Sequence, residues 1–282
     1  MLGKLMKYEW KGLKKPLSIL LLVLLGITLL TGILILTINP KYDDVAVGFS
    51  VVFTIISVFL YYFGIIACSI GTMLIIAIRF YKTCYTDEAY LTHTLPVSTK
   101  QLVAAKTITA VLCHLFMMLF IFLTAFLLVG VFVTHMINLG EFDMSDIPAH
   151  FFSEMSDEFK SEFGIGFIGY LAYIGIYSLI SSICGIIMVL GCVSLGQLYT
   201  KHRILGAIIA YFALTMIMQF VTYLGMIPMY GKLFAAEFAG ESIPMFSVLQ
   251  PTLTITLVFS IIIAIVMYFI NLHMMTKRLN LE

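Results

Sequence analysis

Six long apolar runs divide this 282-residue chain and limit its fold more than any other feature. They lie near residues 17–38, 47–79, 102–137, 164–199, 204–227 and 252–273. A helix needs about 20 mainly apolar residues to cross about 30 Å of hydrocarbon, so each run is long enough to span a bilayer. Lipid offers no partner for open backbone groups, and these runs do not alternate as barrel strands do. The sequence therefore predicts an all-α integral membrane protein with one transmembrane domain over residues 1–282.

Composition and charge distribution support a membrane location and predict an orientation. Hydrophobic residues make up 61% of the chain and charged residues 11%, against about a quarter charged in a soluble domain. If the N-terminus is cytoplasmic, thirteen of the sixteen basic residues lie inside and eleven of the fifteen acids lie outside. This bias predicts a multi-pass protein with both termini in the cytoplasm. The net charge of +1 does not favour a nucleic-acid partner.

The first fifteen residues have an amphipathic pattern. Leucines, Met6 and Trp10 recur at helical spacing, and five lysines occupy the remaining positions. This pattern predicts a helix over residues 1–15 that lies in the cytoplasmic membrane interface of the lipid bilayer, with Trp10 as its aromatic anchor. A solvated basic tail is the alternative, although such a tail needs no apolar stripe.

Two further segments interrupt the apolar pattern on the outer side. Around residues 148–162, apolar residues recur four apart at Phe151, Met155, Phe159 and Phe163, and acids occupy the other faces. This pattern predicts a short extracellular amphipathic helix over residues 148–162 that rests on the membrane or caps the assembly. A gating role for this helix is left open. Residues 228–251 are moderately apolar but contain three prolines, which predicts a broken re-entrant or interfacial segment.

The sequence contains none of the common catalytic or metal-binding motifs. There is no phosphate-binding loop, no zinc-protease motif and no nucleophile elbow. The six histidines show no metal-ligand spacing, so the sequence predicts no metal site, no catalytic residue and no cofactor in this chain. His114 alone lies well inside a span, where an ionisable group is a candidate functional residue. The alternative is a neutral, hydrogen-bonded packing residue, since no acid lies in any span.

Small and polar residues recur in the last three apolar runs. They let helices approach closely or hydrogen-bond to each other, and a role in lining a pathway is the alternative to packing. The small residues are Ser178, Ser181, Ser182, Gly185, Cys192 and Gly196, and the polar residues that could hydrogen-bond between helices are Gln197, Gln219 and Asn271.

The segment "YTDEAYLTHTLP", residues 85–96, is a polar island between the second and third runs. A threonine cap, an acidic first turn and a terminating proline predict a short helix over residues 87–94. Its acids have no partner base, whereas its aromatic and leucine residues suit docking into a groove with acids at the rim. The candidate docking residues are Thr86, Asp87, Glu88, Tyr90, Leu91, Thr94 and Leu95.

The longer stretch "RFYKTCYTDEAYLTHTLPVSTKQLVAAK", residues 79–106, resembles the first cytoplasmic loop of bacterial ABC-2 type exporter permeases. The whole chain is similar to these permeases in its arrangement of spans. The resemblance implies the ABC-2 permease fold, a coupling helix over residues 87–94 and a location in the bacterial plasma membrane. It also implies an ABC ATPase subunit that binds Mg-ATP and a second permease chain, identical or related. Amphipathic or hydrophobic peptides, drugs or lipids would be the substrates.

Two other functions remain open at this stage. One is a membrane anchor or sensor module that gathers cytoplasmic partners without transporting anything. The other is an intramembrane enzyme such as a protease, which needs polar catalytic groups that face one another inside the spans. An ATPase that stays bound and is active in the complex separates transport from both.

Overall fold

The computed structural model describes residues 2–38, 44–86, 88–89, 97–139, 151–199, 201–239 and 244–277. Within these ranges almost every residue is helical and no strand occurs. The helices are α1 (Leu2–Leu36), α2 (Asp44–Tyr85), α3 (Thr99–Asn138), α4 (Phe151–Phe163), α5 (Phe167–Gly196), α6 (Arg203–Ala239) and α7 (Met245–Lys277). All of these except α4 are long and apolar enough to cross a membrane, which makes six candidate spans in the described ranges. The predicted all-α class and the six apolar helices are confirmed.

Two compact units share these helices. The N-terminal unit consists of Gly3–Arg79 and Leu112–Pro148, and the C-terminal unit consists of Met1–Leu2, Phe80–Val111 and Ala149–Glu282. Both α2 and α3 contribute to both units, so the segment that joins them belongs with α5, α6 and α7. The single transmembrane domain over residues 1–282 stays a prediction.

In the N-terminal unit, α1 and α2 run antiparallel and pack along most of their length. Near one end, Glu9 Oε2 lies 3.6 Å from Arg79 Nε. Near the other end, the Thr31 hydroxyl donates to the backbone carbonyl of Ser57 at 3.2 Å. Between these contacts, a Cβ placed at Gly64 would lie 3.2 Å from an isoleucine of α1. Small residues on α2 thus let the two helices approach closely.

The start of α1 differs from the sequence prediction because the helix is continuous. The sequence predicted an interfacial helix over residues 1–15 and a separate span from residue 17. In the structure Pro16 lies inside one helix of 35 residues. Pro16 has no N–H to donate to the Gly12 carbonyl, but the guanidinium of Arg79 packs against Gly12 and holds this turn on α2. Packing on α2 explains the continuity, and placement of the segment at the membrane interface stays a prediction.

In the C-terminal unit, α5 packs against α6 and α7 at glycine positions. A Cβ placed at Gly191 would lie 2.7 Å from Met267 Cβ of α7. A Cβ placed at Gly196 would lie 2.5 Å from the backbone nitrogen of Ala207 in α6. Because neither position has room for a side chain, these helix backbones approach more closely than larger residues would allow.

The predicted broken segment over residues 228–251 contains the last turns of α6 and the first turns of α7, and its re-entrant or interfacial placement stays a prediction. Pro228 lies inside α6 and Pro251 lies inside α7, while residues 240–243 lie outside the described ranges. A proline inside a helix leaves the carbonyl four residues earlier without its usual donor. For Pro251 that carbonyl belongs to Ser247, and Lys232 Nζ of α6 donates to it at 3.2 Å. This replacement donor from the neighbouring helix explains why α7 continues through its proline.

The predicted outer helix over residues 148–162 corresponds to α4, and the residues before Phe151 lie outside the described ranges. The rings of Phe159 and Phe163 stack with centroids 4.1 Å apart. Each of these rings lies 5.4 Å from the ring of Tyr170 in α5. The aromatic face of α4 therefore packs on the first turns of α5, as a capping helix would.

Candidate functional site

The predicted docking segment lies where α2 ends and α3 begins. Among its predicted residues, only Thr86 and Glu88 are described. The residues Asp87, Tyr90, Leu91, Thr94 and Leu95 lie outside the described ranges. Glu88 is exposed and helical, and the neighbouring Ala89 is fully buried. The coupling helix over residues 87–94 therefore stays a prediction, and the described chain shows how its two ends are held.

Thr86 begins a helical turn, although its hydroxyl is used differently from the prediction. The sequence predicted that this hydroxyl would accept an N–H bond as an N-cap. In the structure it donates to the Lys82 carbonyl at 2.7 Å, in the last turn of α2. The backbone carbonyl of Thr86 accepts the N–H of Ala89 at 2.7 Å, as at the start of a helix. Thr86 thus joins the end of α2 to the turn that follows it.

The other end of the segment is capped at Ser98. The hydroxyl of Ser98 accepts the N–H of Gln101 at 3.4 Å, and its carbonyl accepts the N–H of Leu102 at 3.1 Å. A serine that accepts an N–H three residues later is a helix N-cap. The segment between α2 and α3 therefore enters α3 at a defined position.

Buried hydrogen bonds connect the end of α2 to α5 and α7. The hydroxyl of Tyr85 donates to Ser194 Oγ at 2.9 Å. Ser194 Oγ in turn lies 2.9 Å from Asn271 Oδ1, to which it donates. Ser194 is 0% exposed and Asn271 is 1% exposed, so water does not compete for these bonds. We call this set, Tyr85, Ser194 and Asn271, the buried triad.

A second buried contact joins α2 to α3 beside the triad. Lys106 is 4% exposed, and its Nζ donates to Thr83 Oγ1 at 2.6 Å. A buried ammonium is costly unless hydrogen bonds compensate for the water that it loses. The rings of Phe80 and Tyr85 also pack edge-on near this contact, with their centroids 6.2 Å apart. The two helix ends that carry the loop are consequently fixed to each other and to α5 and α7.

The predicted small-residue face of α5 divides into two parts. Cys192 and Gly196 are buried as a packing face requires, and the unpredicted Gly191 is buried beside them. A Cβ at Gly185 would meet nothing within 4 Å in the described part of the chain. The residues Ser178, Ser181 and Ser182 are half-buried. Close packing is therefore concentrated in the second half of α5.

Polar atoms in the first half of α5 are less well satisfied. The hydroxyl of Ser178 donates within its own helix, to the Gly175 carbonyl at 2.9 Å. The Ser182 hydroxyl is buried and has no hydrogen-bond partner among the described residues. Neither observation shows whether the first half of α5 packs against another helix or lines a pathway, so both alternatives stay open.

The other predicted residues are dispersed. His114 is half-buried, and its Nδ1 is buried without a hydrogen-bond partner among the described residues, so the hydrogen bond expected of a packing histidine is not seen at that atom. Gln219 is exposed on α6. Trp10 is 40% exposed and meets the ring of Phe116 edge-on at 6.4 Å.

The buried triad was missed as a unit, although the sequence contains its signal. Asn271 is a polar residue in the last apolar run, and Ser194 and Tyr85 lie near the ends of two other runs. With six spans, those three ends fall on the same predicted side of the membrane. Polar residues at one depth on three spans favour hydrogen bonding between helices.

Comparisons with protein-family models, with curated proteins and with solved structures each found no match to this chain.

Proposed function

We propose that this chain is the membrane-spanning permease subunit of an ABC exporter, driven by a separate ATPase. The observation that carries the proposal is the buried triad, because it ties the helix end next to the candidate coupling loop to α5 and α7. A loop that receives force from a partner needs such a connection to the spans, whereas a passive anchor does not.

The mechanism follows from the contacts on both sides of the loop. The Tyr85–Ser194 and Lys106–Thr83 bonds are both buried, so a displacement of the loop moves α2, α3 and α5 together before it breaks either bond. Buried polar networks of this kind resist distortion because a broken bond leaves a polar group unsatisfied. Closure of the ATPase on ATP would thus be transmitted as movement of whole helices.

The proposed assembly contains two permease chains, identical or related, and two ATPase subunits that bind Mg-ATP. Tyr90 and Leu91 are the proposed groove-filling residues, with Asp87 and Glu88 at the rim. The chain itself contributes no catalytic group in this proposal. Its substrate is an amphipathic or hydrophobic molecule, and its location is a bacterial plasma membrane with both termini in the cytoplasm.

The direct experiment is to look for an ABC ATPase gene among the neighbouring reading frames and to co-express its product with this chain. The double variant Tyr90→Asp/Leu91→Asp should lose the ATPase during purification and lose ATP hydrolysis stimulated in the complex. A matched control is Leu198→Asp/Tyr199→Asp, which changes the same residue types at exposed positions after α5. The control should keep the ATPase.

Two outcomes would contradict the proposal in different ways. Retention of the ATPase by the Tyr90/Leu91 variant would remove the docking role of the loop. A wild-type complex that keeps its ATPase but shows no substrate-dependent ATP hydrolysis in proteoliposomes would instead support an anchor or sensor.

A further inference from the structure

The first turns of α1 carry a lysine face. Its residues are Lys4, Lys7, Lys11, Lys14 and Lys15, and all five are exposed. At 3.6 residues per turn, they lie within an arc of about 100° around the helix. Because α1 is continuous from Leu2 to Leu36, the five lysines lie on one side of a single helix.

The opposite side of these turns is occupied by other helices of the N-terminal unit. Glu9 approaches Arg79 of α2 at 3.6 Å, and Leu13 is 4% exposed. Glu9 is the acid of the first fifteen residues, and it points away from the lysine face. The lysines are therefore not neutralised by an acid on their own face of α1.

The lysine face continues directly into an apolar face on the same side of α1. The residues Leu22, Leu25, Leu29 and Ile33 follow at helical spacing and are exposed by 40% or more. These side chains belong to a helix that is long and apolar enough to cross a membrane. The lysine face consequently begins where the hydrocarbon-facing surface ends.

Distances along the helix match the thickness of a headgroup layer. Lys15 and Lys11 are four residues apart, which is about 6 Å at 1.5 Å per residue. A bilayer of about 40–45 Å with a core of about 30 Å leaves roughly 5–8 Å of headgroup on each side. With the hydrocarbon boundary after Lys15 and α1 along the membrane normal, Lys11, Lys14 and Lys15 fall within the headgroup layer, and Lys4 and Lys7 lie just beyond it.

We propose that the lysine face binds the anionic headgroups of phospholipids in the leaflet nearest the N-terminus. Five ammonium groups, with no acid on their face of α1 among the described residues, complement a layer of phosphates, and each basic residue near an anionic surface favours binding. The ring of Tyr8 lies beside the face, with Lys11 Nζ 5.9 Å from its centroid, and aromatic rings favour this depth. This binding is independent of the transport function proposed above.

The experiment compares phosphatidylglycerol with phosphatidylcholine on the full-length protein in neutral detergent. Native mass spectrometry measures the lipid retained by each chain during titration. The variant Lys11→Gln/Lys14→Gln/Lys15→Gln should bind phosphatidylglycerol at least about tenfold more weakly, because each lysine contributes substantially to anionic binding. Binding of phosphatidylcholine should not change.

Two control variants separate charge from fold. The Lys11→Arg/Lys14→Arg/Lys15→Arg variant keeps the charge and should bind like wild type. The variant Lys82→Gln/Lys100→Gln/Lys201→Gln removes three exposed lysines elsewhere and should also bind like wild type. A measurement that needs no variant is the salt dependence of the wild type, since about 1 M salt shortens the screening length to about 3 Å and should release phosphatidylglycerol.

Equal phosphatidylglycerol affinity in the wild type and the Lys→Gln variant would overturn the inference. So would an affinity that does not fall with salt, or an equal loss in the Lys82/Lys100/Lys201 variant. If the Lys→Gln variant lost its ATPase partner but kept phosphatidylglycerol, the face would belong to a protein interface and the lipid assignment would be wrong.

Discussion

The hydroxyl of Tyr85, at the end of α2, donates a hydrogen bond to Ser194 Oγ of α5 at 2.9 Å. These residues are 109 positions apart in the sequence, and both are buried. The bond places the end of the helix before the candidate coupling loop in direct contact with the helices that follow α4. The end of α2 that precedes the loop is therefore hydrogen-bonded to α5.

Removal of the Tyr85 hydroxyl should weaken the C-terminal unit. In Tyr85→Phe the Ser194 hydroxyl loses its donor but keeps its own bond to Asn271, so the cost should be that of one hydrogen bond, about 0.5–1.5 kcal/mol. The free energy of unfolding in mixed detergent measures this loss. Tyr62→Phe, at a 60% exposed position of the same helix, should change it little. Equal stability of Tyr85→Phe and wild type would show that the bond contributes nothing.

The same substitution should uncouple the proposed transporter. If force passes through the buried triad, Tyr85→Phe should keep the ATPase bound but lower substrate-stimulated ATP hydrolysis in proteoliposomes. Tyr62→Phe should leave both unchanged. Full stimulation in Tyr85→Phe would mean that the Lys106–Thr83 contact, or the helices themselves, carry the movement.

Two glycines of α5 should respond oppositely to alanine. Gly191→Ala places a Cβ 2.7 Å from Met267 Cβ and 3.1 Å from its carbonyl oxygen. Overpacking of this kind costs about 1–3 kcal/mol of unfolding free energy. Gly185→Ala meets open space on the same helix, so it should be neutral or stabilising by up to about 1 kcal/mol through helix propensity. A smaller loss at Gly191 than at Gly185 would contradict the described packing.

The contact between α6 and α7 should depend on a threonine. The hydroxyl of Thr252, which follows Pro251, donates to the Gly225 carbonyl at 2.9 Å. Thr252→Val removes this donor at constant shape and should lower the unfolding free energy by about 1 kcal/mol. Thr215→Val is the control, because the Thr215 hydroxyl bonds only to carbonyls of its own helix in the described structure. Hydrogen exchange in α6 should rise near Gly225 in the first variant and not in the second.

The turn between α4 and α5 should require glycine at residue 164. Gly164 has a φ of +79°, and a Cβ there would lie 2.8 Å from Pro244 Cβ. Alanine at a positive φ is strained by about 1–2 kcal/mol. Gly164→Ala should therefore increase hydrogen exchange throughout α4. Gly166→Ala is the matched control, since Gly166 has a φ of −63°. No difference between the two variants would show that α4 is held independently of this turn.

The number and approximate bounds of the apolar helices were predictable from the sequence, because length and hydropathy are local properties of the chain. The course of α1 through Pro16 and of α7 through Pro251 was not predictable. In each case a side chain of a neighbouring helix packs against or hydrogen-bonds to the turn before the proline. Local sequence reports the lost N–H of a proline but not the donor that replaces it.

In the candidate site, too, some features were predictable from the sequence and others depended on the tertiary structure. The polar island at residues 85–96 and the hypothesis that it docks into a partner came from the sequence, since a polar segment between two spans is visible without a structure. Tertiary structure alone decided that Tyr85, Ser194 and Asn271 meet, and that Gly191 rather than Gly185 is the close contact of α5. Which helix faces approach each other depends on packing between residues far apart in the chain, and that information is not contained in the periodicity of any single helix.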